Sequence, residues 1–261
     1  MALNVLVDCS VFTSSSSSHL SFPEGFRVAF PSRTNYMYAR VRASLPQLRA
    51  LTTCLWLRST ERGPVGTPLS YAVPGQPNEL VLLHGPCLAL ELLVNDKVAQ
   101  LPLNLTRGSW QHMCVSWSQK GGAWQAYQGG RLRGEGHGLA PGHHLRAGGQ
   151  LVLGQEQVWK GGEGTIAQSA CARVWLVGAC AHSERDSPGG GFDSTQALVG
   201  ELAQVGIWDR VLTPGQVASL ARCGRVAQGS LTSWTESEVE VYRGATKHPG
   251  EPCSKHSQSS Q

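Results

Sequence analysis

From Arg27 onward the chain is written as short apolar or alternating runs, and Gly, Pro, Asn or Ser clusters cut each run after a few residues. The runs are Val28–Phe30, Tyr36–Val41, Leu51–Leu57, Leu69–Val73, Glu79–Leu83, Leu88–Val94, His112–Ser118, Ala123–Tyr127, Leu151–Leu153 and Val199–Trp208. A period of two closed off by turn residues is the pattern of strands that bury one face. With 31 Gly and 14 Pro in 261 residues and only 15% charged residues, the chain has too many breakers for a helical bundle. It also has too little charge for a disordered polyion. An all-β sandwich or jelly roll fits; a parallel α/β sheet does not.

One helix is predicted. Thr213-Pro214-Gly215-Gln216 is a capping box with Pro at the first helical position. Val217, Leu220 and Ala221 follow at helical spacing, and Gly224 closes the segment.

The flanks differ in composition. Residues 1–25 carry the serine run Ser14 to Ser18 and read as a flexible leader. Met1 to Val7 is apolar but lacks a positive segment and breaks at Asp8, unlike an ordinary signal peptide. Residues 246–261 read as a polar disordered tail with Cys253 as its only anchor, leaving one domain over 26–245. Within it, 158–185 stands apart, because Ala172 to Ala181 is apolar without alternation or turn punctuation. No run reaches membrane-spanning length, since Leu80 to Val94 is interrupted by His84, Pro86 and Glu91.

The net charge of +4 comes from 22 scattered Lys and Arg, which excludes a nucleic-acid footprint. Arg131, Arg133, Arg146, His143 and His144 form the densest cationic stretch and read as a solvated face. Eight cysteines lie far apart, never as C-x-x-C, which disfavours zinc ribbons and thioredoxin-like centres and suits an oxidising compartment. Asn104-Leu105-Thr106 is an N-glycosylation sequon that matters in such a compartment.

His112-Met113-Cys114-Val115-Ser116-Trp117 resembles the pentraxin motif H-x-C-x-S/T-W, although Gln119 replaces the Ser or Thr usual two residues after the Trp. Thr53-Cys54-Leu55, Ser70-Tyr71-Ala72 with Asn78-Glu79-Leu80, and Gly154-Gln155-Glu156-Gln157 resemble further family segments in family order. So do Asp186 to Gln196 and Val199-Gly200-Glu201-Leu202 through Ile207-Trp208-Asp209. The resemblance spans 26–245 and implies a two-sheet lectin-like jelly roll with one short helix. It also pairs Cys54 with Cys114, leaving the other six cysteines unassigned.

The resemblance further implies a calcium site built from Asn78, Glu156, the Gln157 carbonyl, Asp186, Asp193 and Gln196. Calcium takes six to eight oxygens in irregular geometry, and neighbouring carboxylates repel unless a cation sits among them or solvent separates them. Two departures point to weakened or lost calcium binding. Pro77 stands where the family commonly has Asp, and 158–185 parts Gln157 from Asp186. That segment reads either as a retained intron or as a genuine surface loop; removing it would join Gln157 to Asp186 and restore the family loop. The aromatic residue and acid of phosphocholine-binding members fall at Leu83 and near Lys97-Val98, so phosphocholine specificity is not expected.

An enzyme reading rests on Glu236, Glu238 and Glu240, which alternate as in the carboxylate row of jelly-roll glycoside hydrolases. The row lies at the C-terminal edge, away from the presumed ligand loops, and reads instead as a solvated edge strand protected by charge. The expected function is therefore non-catalytic extracellular recognition of glycan, anionic or protein ligands, with possible assembly into homo-oligomers. The expected context is the ectodomain of an adhesion G-protein-coupled receptor of the D group, the alternative being a soluble secreted pentraxin subunit.

Overall fold

The computed structural model describes Phe22 and residues 25–85, 89–157, 192–226 and 228–254. Fourteen strands and one helix occur among them. In chain order they are β1 (Phe26–Phe30), β2 (Tyr38–Val41), β3 (Ala50–Ser59), β4 (Gly66–Val73), β5 (Gln76–His84), β6 (Leu90–Val94) and β7 (Lys97–Leu101). Then come β8 (Gln111–Ser118), β9 (Ala123–Gln128), β10 (Arg131–Gly136), β11 (Gln150–Leu153), β12 (Gly200–Trp208), α1 (Pro214–Ala221), β13 (Val239–Tyr242) and β14 (Thr246–Pro249). They form two seven-stranded sheets, ordered β10-β9-β8-β3-β12-β1-β14 and β13-β2-β11-β4-β5-β6-β7. All the ladders are antiparallel, so the expected two-sheet jelly roll with one short helix is the fold observed.

The two-residue period explains which side chains meet. Along β8, Met113, Val115 and Trp117 enter the core between the sheets with Leu51, Leu55 and Leu57 of β3. Leu69 and Tyr71 of β4, Leu80 and Leu82 of β5, and Leu151 and Leu153 of β11 join them from the second sheet. Trp117 is fully buried, and its indole Nε1 donates to the Leu139 carbonyl at 2.8 Å, so the motif's Trp meets both its apolar and its polar requirement.

The alternate residues of β3 and β8 face outward, where Cys54 lies directly opposite Cys114. The two are disulfide-bonded with Cα atoms 4.0 Å apart, the pairing the resemblance implied. Helix α1 covers this bond: Val217 packs with Cys54, Cys114, Tyr127, Trp208 and Leu212. His112 belongs to the same face, and burial lowers its imidazole pKa to about 4, so it is neutral at physiological pH. Cys54, His112 and Cys114 lie close enough to suggest a metal site, but the two sulfurs are bonded to each other.

The predicted capping box is present in full: Thr213 Oγ1 accepts from Gln216 N at 3.3 Å, and Gln216 Oε1 accepts from Thr213 N at 3.0 Å. Helix α1 ends with Arg222 as its cap, and Gly224 N donates to Ser219 O at 2.8 Å. A Cβ on Gly224 would lie 2.1 Å from Ser219 Oγ, which accounts for the glycine. Thr213→Ala is expected to lower stability by about 1 kcal/mol, read as a lower urea midpoint at unchanged slope. An unchanged midpoint would show that packing on the sheet alone holds the helix.

Several expectations are corrected. The segment read as a disordered tail begins with β14, which pairs with β1 from Phe26↔Pro249 to Ala29↔Thr246. Cys253 closes this end by bonding Cys223 just after α1, with Cα atoms 5.4 Å apart. A backbone ladder and a crosslink thus order a polar segment that has no apolar pattern of its own. Residues 255–261 lie outside the described residues.

The leader also ends earlier than expected, since Phe22 stacks on Phe26 at 6.2 Å and Gly25 N donates to Phe22 O at 3.0 Å. The rest of 1–21 lies outside the described residues, as does the segment 158–185. Strands β7 and β10 were not anticipated, and β2 starts at Tyr38 rather than Tyr36. The run expected from Leu88 becomes β6 from Leu90, Leu88 itself being outside the described residues.

Candidate functional site

The described residues proposed for a cation site come from three places in the chain. Asn78 sits near the start of β5, Glu156 and Gln157 lie in the segment after β11, and Asp193 caps a short 3-10 turn that holds Gln196 ahead of β12. Through β4 the start of β5 lies near Gln150 at the start of β11, and the segment after β11 folds back toward it, since Gln157 Nε2 donates to Gln150 O and Ser70 O.

The Gly154-Gln155-Glu156-Gln157 segment is held rigidly. Gly154 has φ +87°, and a Cβ there would lie 2.3 Å from the Phe30 ring, so only glycine serves. Gln155 is buried and donates from Nε2 to the carbonyls of Thr34 at 2.7 Å and Met37 at 2.8 Å. Its own carbonyl accepts from Ser70 Oγ at 2.7 Å. Gln157 Nε2 donates to Gln150 O at 3.0 Å and to Ser70 O at 3.2 Å. Glu156 therefore stands between two anchored neighbours, in a fixed direction.

Glu156 is only 8% exposed, and among the described residues its Oε2 is buried without a hydrogen bond. Burial pushes its carboxyl up to about 7, and the charges of Asp193, Glu91 and Asp96 push the same way. Asn78 Oδ1 is likewise buried without a hydrogen bond among the described residues. Two unpartnered oxygens near a set of acids are costly without a cation and suited to one. The donor set is carboxylate and amide oxygen, the kind that calcium takes.

Asp193 is exposed and caps the 3-10 turn, accepting from Thr195 N at 2.8 Å. Gln196 is half-buried in the same turn. Asp186 lies outside the described residues. Pro77 lies within β5 beside Asn78, and its ring supplies neither an oxygen nor an N–H. A shallow depression of about 230 Å³ lined by Pro77, Gly149, Gln150 and Gln157 adjoins the site.

Two neighbours escaped the sequence reading. Asp96, in the β6–β7 turn with φ +61°, accepts from Asn78 Nδ2 at 3.1 Å and Gln76 Nε2 at 2.6 Å. Glu91 on β6 lies opposite Leu83, in a cross-strand arrangement that also pairs Val81 with Leu93. Val81, Leu83 and Leu93 form a small apolar cluster with Val98 against them, so Leu83 gives this face an aliphatic surface. Glu91 is buried, and burial raises its carboxyl pKa against the opposing hydrogen bond from Gln100.

The cationic stretch has a structural task. Glu79 is fully buried and accepts from His143 Nε2 at 2.9 Å, Arg146 N at 2.7 Å and the Arg146 guanidinium at 2.9 and 3.1 Å. His143 and Arg146 thereby tie the loop ahead of β11 to β5.

The glutamate row is not formed. Strand β13 starts at Val239, so Glu236 and Glu238 precede it. Glu236 accepts from Phe22 N, while Glu240 pairs with Arg42 and accepts from Tyr242 Oη at 2.8 Å. Asn104 is exposed in the loop before β8. No helix among the described residues is long and apolar enough to cross a membrane.

Comparison with known proteins agrees with this fold. The crystal structure of a native heptameric SAP-like pentraxin from Limulus polyphemus superposes with a TM-score of 0.67 at 27% identity, covering 88% of this chain and 97% of that one. The extracellular region of zebrafish Gpr126/Adgrg6 superposes with a TM-score of 0.60 over 88% of this chain and 27% of that one, but at 16% identity this shows fold alone. Human neuronal pentraxin-1 is 48% identical over 229 residues, 87% of this chain and 46% of its own length. The chain thus spans about half the length of the curated relatives it matches. Curated relatives matched at 42–48% identity include human neuronal pentraxin-1, neuronal pentraxin-2 and the neuronal pentraxin receptor, whereas the likeness to the adhesion receptor is one of fold. The sequence model of the Pentaxin family matches residues 25–179 and 177–249, two segments meeting inside the interrupting stretch. From its fold, its disulfide-bonded motif and this match, the chain belongs to the Pentaxin family.

Proposed function

We propose that this domain is a non-catalytic, extracellular recognition module that binds anionic or carbohydrate ligands through calcium, as part of a secreted pentraxin subunit. The observation that carries the reading is Glu156, a buried carboxylate with an unpartnered oxygen, fixed by Gln155 and Gln157 beside Asn78 and Asp193. Asn78 Oδ1, Glu156, the Gln157 carbonyl, Asp193 and Gln196 would hold the ion. Bound there, calcium would offer open coordination positions to a ligand's anionic or hydroxyl oxygens. The protein groups position the ion and leave the adjoining depression for the ligand. Relatives at 42–48% identity favour the pentraxin subunit over the receptor ectodomain.

The test is retention of the oxidised protein on a heparin matrix in millimolar calcium and in excess chelator. Calcium-dependent retention, lost in Glu156→Gln, is the expected result. Retention indifferent to chelator and to that substitution would remove calcium from the account. Expression through a secretory pathway is also expected to glycosylate Asn104, giving a mass shift removed by an amidase and absent in Thr106→Ala. An unshifted mass would count against exposure of this loop to the glycosylation machinery.

A further inference from the structure

The cation site lacks a carboxylate where one is most needed. Asn78 is neutral, Pro77 beside it has no side-chain oxygen, and Gln157 contributes at most a carbonyl. Of the described residues proposed to hold the ion, only Glu156 and the exposed Asp193 carry charge, and further negative charge nearby would improve compensation of a dication.

The carboxylate hydrogen-bonded to Asn78 comes from a different element. Asn95 and Asp96 form the tight β6–β7 turn with φ of +48° and +61°, a left-handed geometry that Asn and Asp tolerate. The backbone locks this turn onto β5: Asn95 N donates to Glu79 O at 3.3 Å and Asp96 N to Asn78 O at 3.4 Å. The Asp96 carboxylate then spans two amides, Asn78 Nδ2 at 3.1 Å on Oδ1 and Gln76 Nε2 at 2.6 Å on Oδ2. Gln76 is buried, shares its Nε2 with Asn95 Oδ1 at 3.1 Å and accepts from Asn78 N at 3.0 Å, so the partners are themselves held.

The orientation of Asn78 follows from this contact. An ionised carboxylate only accepts, so the amide must present Nδ2 to Asp96 and turn Oδ1 the other way. That Oδ1 is the buried oxygen without a hydrogen bond among the described residues, as is Glu156 Oε2. Asp96 is also among the charges that act on Glu156.

We propose that Asp96 is the acidic positioning residue of this cation site. By accepting from Asn78 Nδ2 it fixes Asn78 Oδ1 toward the ion, and it supplies from the neighbouring turn the negative charge that Pro77 cannot. This rests on the calcium reading above.

The experiment measures calcium affinity by competition with a chromophoric chelator for the oxidised full chain, Asp96→Asn, Glu156→Gln, and Asp96→Asn combined with Pro77→Asp. Asparagine keeps the left-handed turn and removes the charge. The expected result is a 10- to 100-fold weaker affinity for Asp96→Asn, the range for loss of a partner that orients a metal ligand. That gap should narrow as salt rises from about 0.02 M to about 0.5 M, because Asp96 is exposed and its charge is screened. Pro77→Asp in the same background should recover much of the loss.

Folding is checked by the melting midpoint in chelator. If Asp96→Asn fails that check, Asp96→Gly, which suits the positive φ without amide contacts, takes its place with the same expected loss. Wild-type affinity in a folded Asp96 variant, with binding abolished in Glu156→Gln, would overturn the role of Asp96 and leave the calcium reading standing. Absence of calcium binding by the folded wild-type chain would overturn both.

Discussion

Replacing Cys54 and Cys114 together by alanine is expected to lower the unfolding free energy by about 4 kcal/mol, the chain-entropy value for a loop of this length. The bond closes a span of 60 residues between adjacent central strands. Its sulfurs lie in the apolar cluster beneath Val217 and Leu212, so their loss also leaves unfilled volume under the helix. Removing Cys223 and Cys253, which span 30 residues, should cost slightly less, about 3.6 kcal/mol on the same scale. The location of the damage should differ. The first pair loosens the centre of the first sheet, whereas the second frees the β14 end, which hydrogen exchange along β1 and β14 would register. Urea midpoints measured under non-reducing conditions check the magnitudes. A loss below about 1 kcal/mol for the first pair would mean that the unfolded chain already holds these strands together.

Glu79→Gln is expected to cost about 3 kcal/mol, toward the lower end of the values for breaking a buried pair because Arg146 can turn to solvent. The side chain is fully buried while that of Arg146 is 45% exposed. Burial by itself would raise the Glu79 carboxyl pKa, but hydrogen bonds from Arg146 and His143 overcome it and leave the group below its ordinary value. The sign of the pH effect follows. A carboxyl lowered in the folded state contributes stability above its unfolded value, near pH 4.5, and that contribution disappears as pH falls through the folded value. The wild-type chain should therefore lose stability on acidification more steeply than Glu79→Gln, and the two curves should approach one another at low pH. Parallel curves would show that Glu79 contributes through packing rather than charge. A loss under about 1 kcal/mol at neutral pH would show that the amide accepts the same hydrogen bonds.

How much of this was legible in the sequence depends on which face a residue serves. Strands that bury a face announce themselves: Met113, Val115 and Trp117 of β8 alternate into the core, and the period is visible in the letters. Strands at the edges carry no such mark. The β10 sequence Arg-Leu-Arg-Gly-Glu-Gly has no buried residue, and β14, Thr-Lys-His-Pro, has none either. Their positions are set by backbone pairing to β9 and β1, which leaves little trace in side-chain chemistry. The helix was legible because its capping box is a local device of four residues.

The site divides in the same way. Glu156 and Asn78 were named through a family motif, but the motif says nothing of what orients them. Nothing in the sequence singles out Asp96, and its partnership with Asn78 arises only because β5 and β6 bring the turn back over the start of β5. Glu79 looked like one polar letter in an apolar run. Its partners lie 64 and 67 residues further on, a separation that no local pattern encodes. The partner of Cys223 was likewise hidden, since spacing does not determine connectivity.

Glu156 is the centre of the proposed cation site. Calorimetric titration of calcium into the oxidised wild-type chain and into Glu156→Gln, with folding of both verified by circular dichroism, addresses that claim most directly. Saturable binding by the wild type and none by the variant is the expected outcome. Two folded proteins that both ignore calcium, or both bind it equally, would contradict it and leave Glu156 as a buried acid carried for another reason.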